Sequence, residues 1–274
     1  MNVARTSAPT FVIINLARDI ERFQLLQKEL DARSFHYVRI EGVDGRKLKE
    51  STGPEIVPVR ASKRFPRGLL VKDQGLTMSH RKAALHILQQ NLPHGIILED
   101  DVNFSPDFKS LVTEVCAEQP ADIVKFEGIG QQAYTFIHRS IGNRKLVTPL
   151  LPTMGAACYF LNRRAAECIV DLTSTAWGPA DHVLAKAMQL VKSFHILPYP
   201  AFQRPELAVY HPGTAEMNAT RLGVFIKARR EASRYASHCS HLMSNIRRRE
   251  LSFDRFERLN LQDEKSDLAQ TNEL

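Results

Sequence analysis

Apolar residues along this chain come either in short unbroken runs or in stripes three and four apart, and the alternation of the two predicts an α/β fold. Phe11-Val-Ile-Ile-Asn-Leu16 is long enough for one buried strand. Asp19 stands where it can cap a helix through about Leu30, with Phe23, Leu26 and Leu30 on one face. His36 to Ile40 predicts a second strand, and Gly42-Val-Asp-Gly45 a turn. Residues 49 to 75 hold three prolines and three glycines with no period, which predicts a long loop or flap. Ser79 then caps a helix to about Gln90, stopped by Asn91-Leu-Pro-His-Gly95, and Ile96 to Leu98 forms a short strand.

Ser105-Pro106 occupies the cap and first-turn positions of a further helix, whose buried stripe is Phe108, Leu111, Val112 and Val115. Strands follow at Ile123 to Phe126 and Ala156 to Leu161, and Asn162 caps a helix carrying Ala165, Ala166, Ile169 and Val170. Pro179-Ala-Asp181-His182 opens a helix with Val183, Leu184, Ala187, Met188 and Val191 turned inward, and Ser193 to Leu197 is a late strand. Strands that alternate with helices and end in polar clusters place a ligand site along the strand ends. The core is expected to stop near Pro212, giving a domain over residues 1–212 and a helical extension over 213–274.

Composition narrows the class without naming it. With 274 residues, 43% hydrophobic and 24% charged, the chain is neither disordered nor a disulfide scaffold. Cys116, Cys158, Cys168 and Cys239 form no CxxC pair and read as small apolar side chains in a reducing compartment. No apolar run approaches the roughly 20 residues of a membrane span, and residues 1–10 lack a secretory pattern, so a cytoplasmic protein is expected. The net charge of +7 is unevenly placed: residues 221–258 hold ten Lys or Arg against four acids, and the tail beyond them is acidic.

The strongest chemical signal is Glu99-Asp100-Asp101, directly after a buried strand. Adjacent carboxylates repel one another and invite a counter-charge. Hard Mg²⁺ or Mn²⁺ supplies one and leaves coordination positions for phosphate; a solvated acidic turn is the plain alternative. Arg18 and Arg22, four apart near a helix start, suit a phosphate or carboxylate partner beside Asn15, or simply pair with Asp19 and Glu21. Ser79 and His80 at a helix N-terminus suit an anion, although a lone His is more often structural than catalytic. Lys125 and Glu127 share one face of a strand, as a sheet-surface pair or as site residues. Asp181 is either a helix cap or a general base. The chain has no GxxxxGK[ST], GxGxxG or HExxH pattern.

The order of these motifs is more specific than any of them alone. Ile14-Asn-Leu-Ala-Arg18 with Arg22, Glu41-Gly-Val-Asp-Gly45, Ser79-His80, Ile97-Leu-Glu-Asp-Asp-Val102, Asp122-Ile-Val-Lys125, Ala156-Ala-Cys-Tyr159 and Pro179-Ala-Asp181-His182 together resemble glycosyltransferase family 25, over about residues 11 to 205. That family contains lipooligosaccharide and collagen galactosyltransferases. The stretch from Ile129 to Leu151 shows no family motif. The resemblance implies a GT-A-like fold with a mixed, mostly parallel central sheet, a UDP-sugar donor and an inverting hexose transfer, galactose first, with Mn²⁺ or Mg²⁺. The acceptor would be a glycolipid or oligosaccharide such as a lipopolysaccharide core. It also implies a metal at Glu99, Asp100 and Asp101, and donor contacts from Asn15, Arg18, Arg22, Ser79, His80 and Lys125. Asp181 is the first candidate for the base and Glu127 the second.

The basic stretch 221–258, interleaved with Leu222, Val224, Phe225, Ile226, Leu242, Met243 and Ile246, suits a helix on an anionic membrane surface or one packed on the domain. The competing classes are a catalytically silent assembly partner and a nucleic-acid binder. The latter leaves the acidic triplet unexplained, so no nucleic-acid partner is expected.

Overall fold

The computed structural model describes residues 9–61, 65, 69–151, 153–204, 207, 236, 239, 243 and 256–262. Most of the basic stretch 221–258 lies outside the described residues. Elements run β1 (Thr10–Asn15), α1 (Ile20–Ala32), β2 (His36–Glu41), α2 (Val71–Gln89), β3 (His94–Glu99), β4 (Val102–Phe104), α3 (Phe108–Glu118) and β5 (Ile123–Lys125). They continue with β6 (Gln132–Ile141), β7 (Arg144–Pro149), β8 (Cys158–Asn162), α4 (Arg163–Leu172), α5 (Ala180–Leu190), β9 (Ser193–Leu197), β10 (Ala201–Gln203) and β11 (Phe256–Asn260).

Nine strands form one sheet in the order β11-β6-β7-β9-β5-β8-β3-β1-β2. Six of them share one direction, while β7, β8 and β11 run the other way, so the sheet is mixed and mostly parallel by strand direction, as expected. Strand alternation sorts the core into two layers. Phe11, Ile13, Ile96, Leu98, Cys158 and Phe160 face one layer, which includes Leu26 and Leu30 of α1 and the stripe of α3. Val12, Ile14, Ile97, Tyr159 and Leu161 face the other, against α2, α4 and α5. Because both faces are covered, β1 reads as a continuous apolar run.

The local cap signal held at Asn162 but not at Asp19 or Ser105. Asn162 caps α4, its side chain accepting from the Ala165 N–H at 2.9 Å. Asp19 precedes α1 without a side-chain cap bond, its carboxylate instead lying near Arg18. The helix expected from Ser105-Pro106 begins at Phe108; Ser105 bonds Asp107, which Arg144 grips through two hydrogen bonds of 2.7 and 2.8 Å. Phe126 falls just beyond β5.

The largest correction is at α2, which starts at Val71 rather than at Ser79. Gly75 made residues 71–75 look like loop, since glycine in a helix interior costs up to about 1 kcal/mol. A Cβ there would lie 2.5 Å from both the Gly45 nitrogen and the Val43 oxygen, so the glycine is what lets the first turns of α2 seat against the turn after β2. Ser79 is therefore mid-helix, its hydroxyl donating to the Gly75 carbonyl at 2.8 Å and accepting from the Val43 N–H at 2.7 Å. A second difference is the β6–β7 hairpin, in the stretch without a recognised motif. The sheet also continues past Pro212, because β11 pairs antiparallel with β6.

Candidate active site

The carboxyl ends of β1, β2, β3 and β5 open onto the same edge of the sheet. There a cleft of about 610 Å³ is lined from β1 and α1 by Ile14, Leu16, Arg18, Asp19 and Arg22. The turn after β2 adds Val43 to Arg46, α2 adds Lys72, Asp73, Leu76 and Ser79, and the acidic triplet and Gln203 close it.

The alternation that builds the core separates Glu99 from Asp100, and the turn that follows β3 keeps Asp101 on the side of Asp100. Glu99, the last residue of β3, is on the α2 side and lies 3.3 Å from His80 Nε2. Asp100 and Asp101 turn to the α1 side, where Arg22 Nη2 meets Asp100 Oδ1 at 2.6 Å and Asp101 Oδ2 at 2.9 Å. Asn15 fixes Asp100 from below: its amide donates to Asp100 Oδ2 at 2.6 Å and to the Asp19 carbonyl at 2.8 Å, and it accepts from Arg39 Nε at 2.9 Å. Asn15 is thus an orienting residue beneath the cleft, not part of its wall. Arg18 pairs with Asp44, which also caps the 3₁₀ turn Gly45–Lys47. Asp44, which the sequence shows only within the motif 41–45 and with no role of its own, is a wall residue that the sequence did not mark, as are Arg46, Lys72 and Asp73. Burial raises the Asp44 carboxyl, but Arg46 and Arg18 bring it below the usual carboxylate range.

One guanidinium serving two carboxylates leaves the site short of positive charge. Burial first, then Glu99 and Asp100, push the Asp101 carboxyl up to about 6 against the pull of Arg22 and Gln203. Asp100 is raised as well, chiefly by burial. Asp101 Oδ1 is buried with no hydrogen-bond partner among the described residues, and so is Arg22 Nε.

The three-carboxylate metal set does not converge. Among the described residues no three His, Cys, Asp or Glu side chains are grouped to hold an ion, and Glu99 lies against His80 instead of beside both aspartates. What remains fits a hard cation more modestly. Asp101 with its unpartnered Oδ1, and Asp100 beside it, offer the one or two carboxylates that Mg²⁺ or Mn²⁺ takes when phosphates complete its shell.

His80 does not reach the cleft and, being mid-helix, has no helix N-terminus to lend to an anion. It is buried between Tyr159, whose hydroxyl is 2.8 Å from Nδ1, and Glu99, so it acts on the site only through Glu99. Lys125 is likewise withdrawn from any phosphate: its ammonium donates to the carbonyls of Thr153, Met154 and Gly155 at 3.2, 3.0 and 2.8 Å. Glu127, two residues on and 2% exposed, accepts from the Ala157 N–H at 3.0 Å. Burial pulls the Lys125 ammonium down to about 8, opposed by the charges of Glu127 and Asp181. Burial also drives the Glu127 carboxyl up to about 7, with Glu99 and Asp101 adding to the rise and Lys125 and the Ala157 N–H resisting it. Gly155 has φ +96° and no room for a Cβ, which would fall 2.6 Å from Glu127 Oε2.

Asp181 is half-buried in the first turn of α5, where Oδ1 accepts from the His182 N–H at 2.8 Å. The helix boundary residue is Pro179, so Asp181 is not the cap itself. The residues singled out in the sequence therefore separate: Arg18, Arg22, Ser79, Glu99, Asp100 and Asp101 line one cleft, Asn15 and His80 lie behind it, and Lys125, Glu127 and Asp181 lie outside its lining, where their charges act on one another without a direct ion pair.

Fold and site together define an α/β protein with an arginine-and-carboxylate cleft where its co-directed strands end. A family model described as "Glycosyltransferase family 25 (LPS biosynthesis protein)" matches residues 8–184, and the chain belongs to that family. A "Glycosyltransferase 25 family member" of Drosophila pseudoobscura pseudoobscura is 25% identical over 119 residues, which is 42% of this chain and 19% of that relative. The match spans about a fifth of that relative's length.

Proposed function

We propose that this chain is an inverting glycosyltransferase that moves a hexose, galactose first, from a UDP-sugar to a saccharide acceptor of the lipopolysaccharide-core type. Family membership supports the class, and the observation that carries the chemistry is the Asp100–Arg22–Asp101 arrangement with its unsatisfied Asp101 oxygen. A divalent cation, when bound, would be held by Asp101 with Asp100 and would stabilise negative charge on the departing diphosphate. Arg22 and Arg18 orient the same diphosphate from the α1 side.

Neither Asp181 nor Glu127 lines the donor cleft, and we take Glu127 ahead of Asp181 as the base for its raised proton affinity. A carboxyl raised to about 7 is matched to accepting a proton near neutral pH, and Lys125 stabilises its ionised form. In the reaction the acceptor oxygen bonds to the anomeric carbon and the bond from that carbon to the phosphate oxygen breaks. The electron pair leaves on UDP, and the hydroxyl proton passes to Glu127. Asp181 serves as the second negative neighbour of Lys125.

A metal-independent variant is favoured by one observation, that Arg22 already contacts both carboxylates. Chelation separates the two: loss of transfer in EDTA and recovery with Mn²⁺ supports the metal, and undiminished transfer in EDTA supports Arg22 alone. The activity itself is tested by product formation from a panel of UDP-sugars, with proton NMR of the new anomeric centre. Turnover of none of them, or a retained configuration, contradicts the proposal.

The reading includes a cytoplasmic site of action, with residues 221–255 against an anionic membrane surface; the basic stretch expected from the sequence runs to 258, but Phe256 to Arg258 belong to β11. The local charge excess and interleaved apolar side chains of 221–255 support it. Among the described residues no helix is long and apolar enough to cross a membrane. Flotation with phosphatidylglycerol liposomes tests the contact, and equal flotation of a chain ending at residue 220 contradicts it.

A further inference from the structure

Lys125 and Glu127 hold their places through the loop 153–157, and that loop is held in turn by residues far along the chain. Thr153, whose carbonyl accepts from Lys125, places its hydroxyl 2.7 Å from the hydroxyl of Tyr199. The same Tyr199 hydroxyl is 2.8 Å from His195 Nδ1. Tyr199 is 1% exposed, and its ring fills the space above Gly128, where an added Cβ would fall 2.6 Å from it. The residue following Glu127 must therefore be glycine for the ring to sit there. Met154 adds a second tie, its carbonyl accepting from the Ile129 N–H at 3.1 Å as well as from Lys125.

The backbone of Tyr199 is anchored by the C-terminal region. Its N–H donates to the Leu261 carbonyl at 2.6 Å, and the Leu261 N–H donates to Gln131 at 2.8 Å. The Leu261 side chain is buried against Val147, Leu197 and Tyr199. Gln262 donates to the Gly128 carbonyl at 3.0 Å, beside the same ring. Strand β11 brings these residues into place by pairing with β6 from Phe256 to Asn260. Tyr199 and Leu261 both lie beyond the region matched to the family, which ends at residue 184.

We propose that Tyr199 and Leu261 are positioning residues: the C-terminal strand, through Leu261 and the Tyr199 hydroxyl, fixes the loop 153–157 and with it the side chains of Lys125 and Glu127, each of which is held by that loop's backbone. Neither residue touches substrate; each acts through Thr153. The part of the proposal that concerns turnover rests on Glu127 as the base, whereas the part that concerns the loop does not.

The test uses the full chain with Tyr199→Phe, Leu261→Ala and the conservative Leu261→Met. Hydrogen exchange of the peptide spanning 153–157 is read against peptides from β1 and β3. Losing the hydroxyl contact accelerates exchange of the loop by about tenfold while β1 and β3 keep their protection. Leu261→Ala gives the same pattern, and Leu261→Met restores it. With UDP-galactose as the probe donor, kcat falls about tenfold in Tyr199→Phe while KM for the donor stays within about twofold. Loop exchange unchanged in both Tyr199→Phe and Leu261→Ala overturns the proposal. So does acceleration spread equally over β1 and β3, which marks general loosening. A wild-type chain that turns over no UDP-sugar contradicts the proposed function, and the exchange comparison then decides the positioning role by itself.

Discussion

Two charged groups stand at one edge of the sheet, and they are built to opposite designs. The Arg22, Asp100 and Asp101 cleft is open, shares one positive charge between two carboxylates, and leaves Asp101 Oδ1 and Arg22 Nε without partners among the described residues. The group of Lys125 and Glu127 is closed. Lys125 donates to three carbonyls, Glu127 accepts a backbone N–H, and glycine at 155 lets the chain close over them. Unsatisfied buried groups are costly, so an arrangement that keeps them is one that a ligand completes. Buried groups held by backbone hydrogen bonds, with shifted proton affinities, need no ligand to hold their shape and are suited to moving a proton. Donor binding therefore belongs to the first group and proton transfer to the second.

Substitutions that strike one group and spare the other break this comparison if it is wrong. The largest effect is expected from Glu127→Gln, which keeps the shape and removes the proton acceptor. Transfer falls by about 10² to 10⁴ in kcat, read by steady-state product formation. Next is Asp101→Ala, which removes the carboxylate with the unpartnered oxygen; UDP binding by calorimetry in the presence of Mn²⁺ weakens by about 10²-fold.

The pH dependence follows in size. Glu127 ionises near 7 in the folded chain against an ordinary value of 4.5. The folded state thus holds the proton more tightly, and stability falls as pH rises through that window. Glu127→Gln removes this loss, so its melting temperature relative to the wild type is higher at pH 8 than at pH 5. Transfer by the wild type rises with pH through about 7, as the base is freed of its proton. The smallest effect is expected at Arg18→Ala, an exposed side chain whose pairing with Asp44 is worth under about 1 kcal/mol in a denaturant titration.

The sequence showed most of the fold where short-range causes decide it. The apolar runs of β1, β3, β8 and β9, and the Asn162 cap, need no knowledge of distant partners. What it hid has non-local causes. Gly75 looked like a helix breaker because its reason for being there, close approach to Val43 and Gly45, is thirty residues away in sequence. The β6–β7 hairpin went unread because a register shift between Ile137 and Arg139 interrupts the two-residue period, and exposed Tyr134 and Gln132 dilute it. At the site, the sequence marks Arg22 and each of the aspartates but not their direct contact, because that depends on β1 and β3 being neighbours in the sheet. The turning of Glu99 to His80 was hidden as well, since it depends on where α2 begins. Tyr199 and Leu261 carried no local signal at all, because what places them is the pairing of β11 with β6.

The most direct test sets the two groups against each other in one experiment: UDP affinity with Mn²⁺, and transfer from UDP-galactose, measured for Glu127→Gln and Asp101→Ala beside the wild type. The account predicts that Glu127→Gln binds UDP as the wild type does yet transfers no sugar, while Asp101→Ala loses UDP binding. Near-normal transfer by Glu127→Gln, or wild-type UDP affinity in Asp101→Ala, would contradict it.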